Sequence, residues 1–394
     1  MTESKLAPLR AGDGLQRRDF LRNSLMLALP VALVGVGIPL KASAAAYDPP
    51  SRKRGSATRS VRDFGAKGDG RTDDTSAFQA AINSLPSTGG TVTVPAGTYL
   101  LDAVRSVKLR SLMHLKMDMD AKLVAKPNSA EQYKVLFSET LHDVEISGGR
   151  IIGERDDHRG AGGEGGHCIH VRGSTAVTIR DIHVSKGWGD GICIGPKPVW
   201  RKPFINSRDV VIANVVCTGN RRNGLSIGNV IGIKVYDSEF SDTHGTSPEC
   251  GIDVEPSQSD ALSGSEWNDD VWIENCVMRG NAKYGVNVWK NVRSLTVKGC
   301  TLEKNSVCGM VTRGMGSGGI ISNTIRQNMS TGLFLQEDTA NVSVHDNTFY
   351  DNYLKQGNTT RTAFSMKGVS DKVRKDFLVG KGTSNLSIGI NYYK

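Results

Sequence analysis

The sequence lacks any regular arrangement of cysteines. Its seven cysteines lie at scattered positions, and an odd, irregular set does not fit a disulfide framework. No Cys-x-x-Cys pair occurs, so a structural zinc site of the usual cysteine type is not expected. Free cysteine is a common core residue, and we expect these side chains to pack in the interior.

The sequence also lacks an apolar run that suits a membrane-spanning helix. The run from Leu25 to Leu40 has 16 residues, interrupted by Pro30 and two glycines, whereas a span needs roughly 20. It follows Arg17-Arg18-Asp19-Phe20-Leu21 and precedes Ala42-Ser43-Ala44, which is the order of a cleaved signal peptide of the twin-arginine type. An N-terminal membrane anchor is the alternative.

We therefore expect residues 1–46 to be a twin-arginine signal peptide and residues 47–58 a linker. The mature protein would be periplasmic or secreted, without stable membrane insertion after cleavage. The formal charge is +9, and residues 1–44 carry six Lys/Arg and three Asp/Glu, which leaves about +6. That surplus favours polyanionic partners, but not nucleic acid, because no recognised binding motif is present. The oligomeric state is left open.

Residues 168–352 leave no room for the helices that connect parallel strands in α/β proteins. A glycine followed by alternating apolar residues recurs instead, as in Gly191-Ile-Cys-Ile and Gly251-Ile-Asp-Val, with a second β-type run between successive copies. Units of about two dozen residues cannot bury their apolar face alone and must stack. The pattern predicts an all-β fold, a single parallel β-helix solenoid over residues 59–394.

Two internal columns follow from this register. The first is an apolar column, in which Ile192, Leu225, Ile252 and Val286 point inward. The second is a ladder of like residues, at Cys276, Cys300, Asn323 and Asn347, where the spacing is 24, 23 and 24 residues. Stacked side chains would lie about 4.8 Å apart.

The N-terminal block of the solenoid predicts a short capping helix. Asp73 or Asp74 can cap a helix over Thr75–Ser84, whose apolar face would cover the open end of the coil. The motifs Asp63-Phe-Gly-Ala-Lys-Gly-Asp-Gly, Thr72-Asp-Asp-Thr and Val94-Pro-Ala-Gly-Thr-Tyr resemble the N-terminal signature of the pectate lyase superfamily. That superfamily takes in proteins related to the polygalacturonase type of glycoside hydrolase.

The resemblance implies a right-handed coil over roughly residues 59–390, but it says little about the reaction. The superfamily includes lyases, hydrolases, epimerases and viral tailspikes.

Side chains that alternate with the inward column should form one exposed stripe. Asp253 and Glu255 lie at its middle, and the neighbouring rungs carry neutral residues in the same column. Loops at Gly153–Gly166, Pro196–Arg208 and Pro256–Asp270 leave the coil beside this stripe and would wall a groove. Our candidate catalytic residues are Asp253, Glu255 and Asp190. Our candidate substrate-binding residues are Trp289, Arg222, Arg313, His170, Arg172 and Asn287.

Hydrolysis of a glycosidic bond in an anionic, uronate-containing polysaccharide is the first hypothesis. The α-carbons of Asp253 and Glu255 would lie about 6.6 Å apart, which allows either a retaining or an inverting carboxyl pair. Gly189-Asp-Gly-Ile-Cys-Ile and Gly224-Leu-Ser-Ile-Gly are similar to two polygalacturonase strands. Gly191 replaces one aspartate of that family, however, and Asn223 stands where its histidine would be.

Elimination or C5 epimerisation at a uronate is the second hypothesis. The Asp253-x-Glu255 pair resembles the acidic strand pairs that hold Ca²⁺ in pectate lyases, and hard oxygen ligands suit that ion. Ca²⁺ is therefore a candidate cofactor only under this hypothesis, and the sequence identifies no certain metal ligand. A non-catalytic, carbohydrate-binding solenoid is the third hypothesis.

Overall fold

The computed structural model describes residues 47–257, 266–353 and 376–394. The expected signal peptide, part of the loop Pro256–Asp270 and part of the basic C-terminal stretch lie outside the described residues. Within the described chain, no helix is long and apolar enough to cross a lipid bilayer.

Three columns of parallel strands wind around one apolar core and form a parallel β-helix. The first column contains the strands Ala57–Ser60, Gly90–Val94, Met113–Met117, His142–Ser147, Thr175–Ser185, Ser207–Thr218, Val230–Tyr236, Asp269–Glu274, Leu295–Lys298, Gly318–Ile321, Val342–His345 and Ser387–Ile388. The second contains Asp69–Asp73, Gly97–Leu101, Ala121–Ala125, Arg150–Ile152, Glu239–Ser241, Val277–Arg279, Thr301–Glu303, Thr324–Arg326, Thr348–Tyr350 and Tyr392–Tyr393. The long strands Thr175–Ser185 and Ser207–Thr218 belong to both columns.

The third column, named here the groove sheet, contains Val107–Lys108, Gln132–Glu139, Gly165–Arg172, Ile192–Gly195, Leu225–Ile227, Ile252–Val254, Val286–Val292, Met310–Met315, Leu333–Leu335 and Phe377–Val379. One antiparallel hairpin, of the strands Lys197–Val199 and Lys202–Ile205, projects from it. Short 3₁₀ helices cover Val61–Phe64 and Arg155–Asp157.

The predicted inward column is confirmed. Ile192, Leu225, Ile252 and Val286 are register partners on successive rungs, and all four are fully buried. The groove sheet therefore has a fixed inner face, and alternation places the intervening residues on its outer face.

The predicted ladder is confirmed as well. The Asn323 amide donates to Asn347 at 2.9 Å, and the backbone N–H of Cys300 donates to the Asn323 side chain at 2.8 Å. A second asparagine ladder was not predicted. It runs through Asn281, Asn305, Asn328 and Asn352. Both ladders satisfy buried polar groups between rungs.

The capping helix spans Thr75–Asn83, one residue shorter than predicted, and buries Phe78, Ala81 and Ile82. The two alternative capping aspartates have different roles. Asp74 occupies the N-cap position without a side-chain hydrogen bond to the helix, because its carboxylate accepts from the backbone N–H groups of the preceding loop. Asp73 accepts instead from the first helical N–H, at 3.0 Å.

The expected linker at residues 47–58 packs along the outside of the first column. Tyr47 stacks on Tyr236 with ring centroids 3.9 Å apart. Arg52 is almost buried and forms an ion pair with Asp209 at 2.6 Å. Only its last two residues, Ala57 and Thr58, belong to a strand of the coil, and the residues before them contact the outside of several rungs.

Candidate functional site

A cavity of about 820 Å³ lies on the outer face of the groove sheet. Its ionisable lining residues are Glu131, Lys134, Glu164, His167, His170, Arg172, Asp190, Cys193, Arg222, Asp253, Glu255 and Lys290. The loop at 153–166 supplies one wall, and Pro256 and Ser257, at the start of another long loop, supply part of a second. The predicted groove is thus a deep, walled cavity at the acidic part of the stripe.

Asp253 forms part of the cavity floor. It is in register with Ser226 and Asn287 on the adjacent rungs, as predicted, and it points away from the core. Its exposure is nevertheless only 2%, and side chains from both adjacent rungs contact its carboxyl. Burial of an outward-facing carboxyl at the floor of a cavity makes it a candidate for proton transfer.

Two neutral amides hold the Asp253 carboxyl. Asn287 donates to one oxygen at 2.8 Å, and Asn223 donates to the other at 3.2 Å. The amide of Asn223 is oriented in turn, because its own oxygen accepts from the Cys250 backbone N–H at 3.0 Å. Asn287, predicted to bind substrate, therefore lies largely buried against Asp253 and orients it.

Burial raises the pKa of Asp253 to about 7, although the hydrogen bond from Asn287 opposes the shift and the nearby Glu255 carboxyl adds to it. Burial also raises the pKa of Glu255, against the charge of Arg222. A carboxyl with a pKa near neutrality can both give and take a proton at the pH of most biological fluids.

Arg222 connects the rungs on the N-terminal side of Asp253. Its guanidinium donates to both carboxylate oxygens of the buried Asp190, at 3.2 and 3.3 Å. It also reaches Ser226 at 3.3 Å and Glu164 in the loop wall at 3.2 Å. Asp190, predicted to be catalytic, lines the cavity and is held there in an ion pair with Arg222.

The N-terminal end of the cavity holds two imidazoles and a lysine. Burial lowers the pKa of His167 to about 3, with help from Arg222 and Lys134, and lowers the pKa of His170 well below its usual range. Burial also lowers the pKa of Lys134. Both imidazoles are therefore neutral at neutral pH. Within the described chain, Nδ1 of His170 has no hydrogen-bond partner.

His167, Asp190 and Cys193 place potential metal ligands within 4.8 Å of one another. Two contacts oppose a cation there. Arg222 already neutralises Asp190, and the His167 Nδ1 atom accepts from the Asp190 backbone N–H at 3.1 Å. This arrangement suits a structural ion pair better than a metal centre.

The predicted aromatic platform is partly covered. Trp289 lines the cavity, but the Arg313 guanidinium lies 4.1 Å from the centre of its ring. Arg313 is held by Glu337 at 2.7 Å and Gln336 at 2.7 Å and is not among the cavity-lining residues. Arg172 does line the cavity and pairs with Glu139 at 2.6 Å.

Three residues of the site were missed from the sequence. Lys134 lies on the strand Gln132–Glu139, one rung before the first recognised repeat, in register with His167. The adjacent buried residues Val135 and Leu136 break the period-two alternation, so this strand was not recognised. Asn223 and Glu164 act through contacts between rungs and between loops, for which a single sequence carries no signal.

Two family models match parts of the chain. One, described as "Rhamnogalacturonase A/epimerase, pectate lyase-like", covers residues 58–115, and one described as "Right handed beta helix region" covers residues 252–366. The A-module of the mannuronan C-5 epimerase AlgE6 of Azotobacter vinelandii has a similar structure, with a TM-score of 0.58 and 18% identity over 85% of this chain and 99% of that one. The chain is a right-handed parallel β-helix protein.

The surface adhesin PfbA of Streptococcus pneumoniae also has a similar structure, with a TM-score of 0.57 and 16% identity over 86% of this chain and 91% of that one. Among curated relatives, the uncharacterised protein YclG of Bacillus subtilis is 30% identical over 287 residues, 67% of this chain and 48% of that protein. The chain thus spans about half the length of this relative. A polygalacturonase of Arabidopsis thaliana matches with 57% identity over 51 residues, 12% of each chain.

Proteins with different functions share this fold. The similarity to the two solved structures concerns the fold alone, because an epimerase module and an adhesin resemble this chain to a similar degree. Polysaccharide-active β-helix proteins are among the relatives, and the chemistry of the cavity has to decide the reaction.

Proposed function

We propose that the protein is a glycoside hydrolase that cleaves an anionic, uronate-containing polysaccharide in the cavity on the groove sheet. The observation that carries this proposal is the state of Asp253. Its carboxyl is buried at the cavity floor, and its pKa of about 7 leaves a large protonated fraction at neutral pH. Glycoside hydrolysis needs such a carboxylic acid beside a second carboxylate.

In this proposal Asp253 is the general acid. Its proton passes to the glycosidic oxygen as the bond from that oxygen to the anomeric carbon breaks. Glu255, two residues along the same chain, is the second carboxylate. As a base it takes a proton from the water that attacks the anomeric carbon, and as a nucleophile it bonds to that carbon before water releases the sugar. The stereochemistry of the product distinguishes these two routes.

The amides of Asn223 and Asn287 orient the acid, and Arg222 keeps Asp190 neutralised close to it. Arg172 and Lys290 border the cavity and, with Lys134, can bind anionic groups of the polymer. The relative with a polygalacturonase name and the family model with a rhamnogalacturonase name support a pectin-like or related acidic substrate.

Elimination or C5 epimerisation is a second candidate, favoured by the neutral His167 and His170 beside Lys134. Neutral imidazoles can accept a proton from C5 of a uronate, while a nearby cation neutralises the substrate carboxylate. Ca²⁺ fits this cavity poorly, because both oxygens of Asp253 already accept hydrogen bonds from amide groups, and a cation there would have to displace at least one of them.

The test is an incubation of the purified mature protein with polygalacturonate, alginate and rhamnogalacturonan. The hydrolase proposal expects new reducing ends without a rise in ultraviolet absorbance, since hydrolysis leaves no double bond. Reducing ends with rising absorbance identify a lyase, and a changed uronate composition without chain cleavage identifies an epimerase. Binding to a polymer without any product identifies a carbohydrate-binding protein. Each of these three outcomes contradicts the proposal.

We also propose export by the twin-arginine route, on the basis of residues 1–46. Replacing both Arg17 and Arg18 by Lys should leave uncleaved precursor in the cytoplasm, detected by fractionation and by the size of the product. Normal export of this double variant would indicate another route.

A further inference from the structure

The hairpin formed by Lys197–Val199 and Lys202–Ile205 has no counterpart among the rungs. Within the described chain it is the one antiparallel pair, and it leaves the groove sheet directly after Gly195. Trp200 at its tip is 84% exposed, more than any other large apolar residue that the structure describes. A tryptophan with this exposure is a large apolar surface that is left in contact with solvent. Such a position is typical of a residue that binds a ligand.

The charge of the hairpin is of one sign. Residues 196–205 contain Lys197, Arg201 and Lys202 and no aspartate or glutamate. Lys197 lies 3.5 Å from Glu139, whereas Arg201 and Lys202 are both exposed and have no ion-pair partner among the residues that the structure describes. The Arg201 guanidinium lies 5.4 Å from the Trp200 ring. The tip thus presents an aromatic face between cations, which is complementary to an anionic polymer.

The hairpin is joined to the rim of the cavity. Arg172, which lines the cavity, is in register with Gly195 at the base of the hairpin. Arg172 and Lys197 both bind the Glu139 carboxylate, so one carboxylate links the cavity rim to the hairpin. Gly173 packs against the base so closely that a Cβ atom there would lie 2.9 Å from the Cβ of Lys197. The base is therefore fixed, and only the tip projects.

The backbone of the hairpin disfavours pairing with another strand. Pro198 and Pro203, one on each strand, lack the N–H that an added strand would need. A second copy of this chain is therefore a poor occupant for the hairpin edge. The surface that remains for a ligand is formed by the side chains at the tip.

We propose that this hairpin is an auxiliary binding surface for an anionic polysaccharide, which it holds outside the cavity. This inference rests on the proposed function, because it assumes a substrate longer than the cavity. Trp200 stacks on a sugar ring, and Arg201 and Lys202 contact anionic groups of the same chain. The hairpin thereby selects long chains over short ones without taking part in bond cleavage.

The experiment measures dissociation constants for polygalacturonate and alginate polymers and for their trisaccharides. It uses the Asp253→Asn protein, so that cleavage cannot shorten the ligand. Trp200→Ala and the double variant Arg201→Gln/Lys202→Gln are compared in this background. Lys234→Gln/Lys304→Gln is the matched control, because it removes two exposed lysines elsewhere on the coil. The side chains altered in this background are all exposed, so folding should be unaffected.

We expect each hairpin variant to weaken polymer binding about tenfold, as for loss of a binding anchor, and to change trisaccharide binding less than about twofold. The control should bind both ligands like its parent. Unchanged polymer affinity in both hairpin variants overturns the inference. Equal weakening for polymer and trisaccharide also overturns it, because the hairpin would then act within the cavity.

Two further outcomes distinguish polysaccharide binding by the hairpin from catalysis in the cavity and from binding to a lipid surface. If the wild-type protein binds polymers through the hairpin but forms no product, the hydrolase proposal fails and the hairpin surface stands. If no polymer binds and Trp200→Ala instead abolishes binding to vesicles that contain phosphatidylglycerol, the hairpin is a membrane-binding element and the inference is wrong.

Discussion

Two buried carboxyls on different faces of the coil have opposite electrostatic surroundings. Asp253 on the groove sheet and Glu145 on the first column are both almost completely inaccessible. Burial raises the pKa of each, but Glu145 contacts Arg54 at 2.8 Å and Arg180 at 2.8 Å, and these cations with His114 lower its pKa overall. Asp253 is held by neutral amides, and its pKa rises to about 7.

The difference shows how the charge of the partners decides in which direction the pKa of a buried carboxyl shifts in this fold. A carboxylate between two guanidinium groups stays ionised and ties rungs together, so it cannot deliver a proton at neutral pH. A carboxyl between two amides keeps its orientation while remaining able to titrate. Asp190, paired with Arg222 at 3.2 Å, resembles Glu145 in having a guanidinium group as its partner.

The largest expected effect concerns activity. Asp253→Asn and Glu255→Gln should each reduce turnover of a confirmed polysaccharide by about 10²–10⁴-fold, the usual contribution of a positioned proton-transfer group. Glu145→Gln should retain near-normal turnover at temperatures where it is folded. Well-folded Asp253→Asn and Glu255→Gln proteins with near-normal activity would move the reactive centre to Asp190 and its partner Arg222.

The second expected effect concerns stability. Replacing the two carboxyls should change the free energy of unfolding in opposite directions. Glu145→Gln leaves two guanidinium groups without their carboxylate and should lower the free energy of unfolding by about 3 kcal/mol at pH 7. Asp253→Asn should instead raise it by about 2 kcal/mol at pH 8, because the folded protein no longer holds a buried charge. The Asn287 amide can rotate to accept a hydrogen bond from the new side chain. Denaturant unfolding of both variants tests this comparison.

The pH windows follow from the direction of each shift. The pKa of Asp253 is higher in the folded chain than the unfolded value of about 3.9. The contribution of the protonated side chain to the free energy of unfolding is therefore lost as pH rises from about 4 through 7. The benefit of Asp253→Asn should therefore vanish near pH 4. Glu145 has a lowered pKa, so its contribution is present above about pH 4.3 and is lost in stronger acid. Glu274→Gln, which breaks the partly exposed pair with Lys298 at 3.0 Å, is the control and should change the free energy of unfolding by less than about 1 kcal/mol. Equal pH dependence of both buried variants would contradict the assigned surroundings.

Much of the fold, and part of the site, could be predicted from the sequence for a physical reason. Rung spacing and period-two alternation are local in the chain, so they predicted the column through Ile252 and the position of Asp253 in the stripe. The surroundings of Asp253 are not local. Asn223 and Asn287 lie 30 and 34 residues away from it, and the cavity wall at residues 153–166 comes from another rung. The opposite pKa shifts of Asp253 and Glu145 therefore depend on contacts that no single repeat contains.

The smallest expected effect concerns the hydrogen bond between Asn287 and Asp253. The amide of Asn287 donates to Asp253 at 2.8 Å and lowers the pKa of that carboxyl against the effect of burial. If Asp253 is the general acid, activity should fall as pH rises through its pKa, giving an alkaline limb near pH 7 in kcat/KM. Asn287→Ala removes the donor and should move this limb to higher pH by less than about one unit.

A residue that only supported packing would change the size of kcat/KM without moving the limb, so the pH profile isolates the electrostatic role of Asn287. Ser226→Ala is the matched control on the other side of Asp253, because the Ser226 hydroxyl contacts Asn223 at 2.9 Å but does not hydrogen-bond to the acid itself in the structure. In Ser226→Ala the alkaline limb of kcat/KM should stay at the same pH. A limb that moves to lower pH in Asn287→Ala would mean that water entering the space stabilises the ionised carboxylate better than the amide does, and neutral amides would then not be what sets the pKa of Asp253.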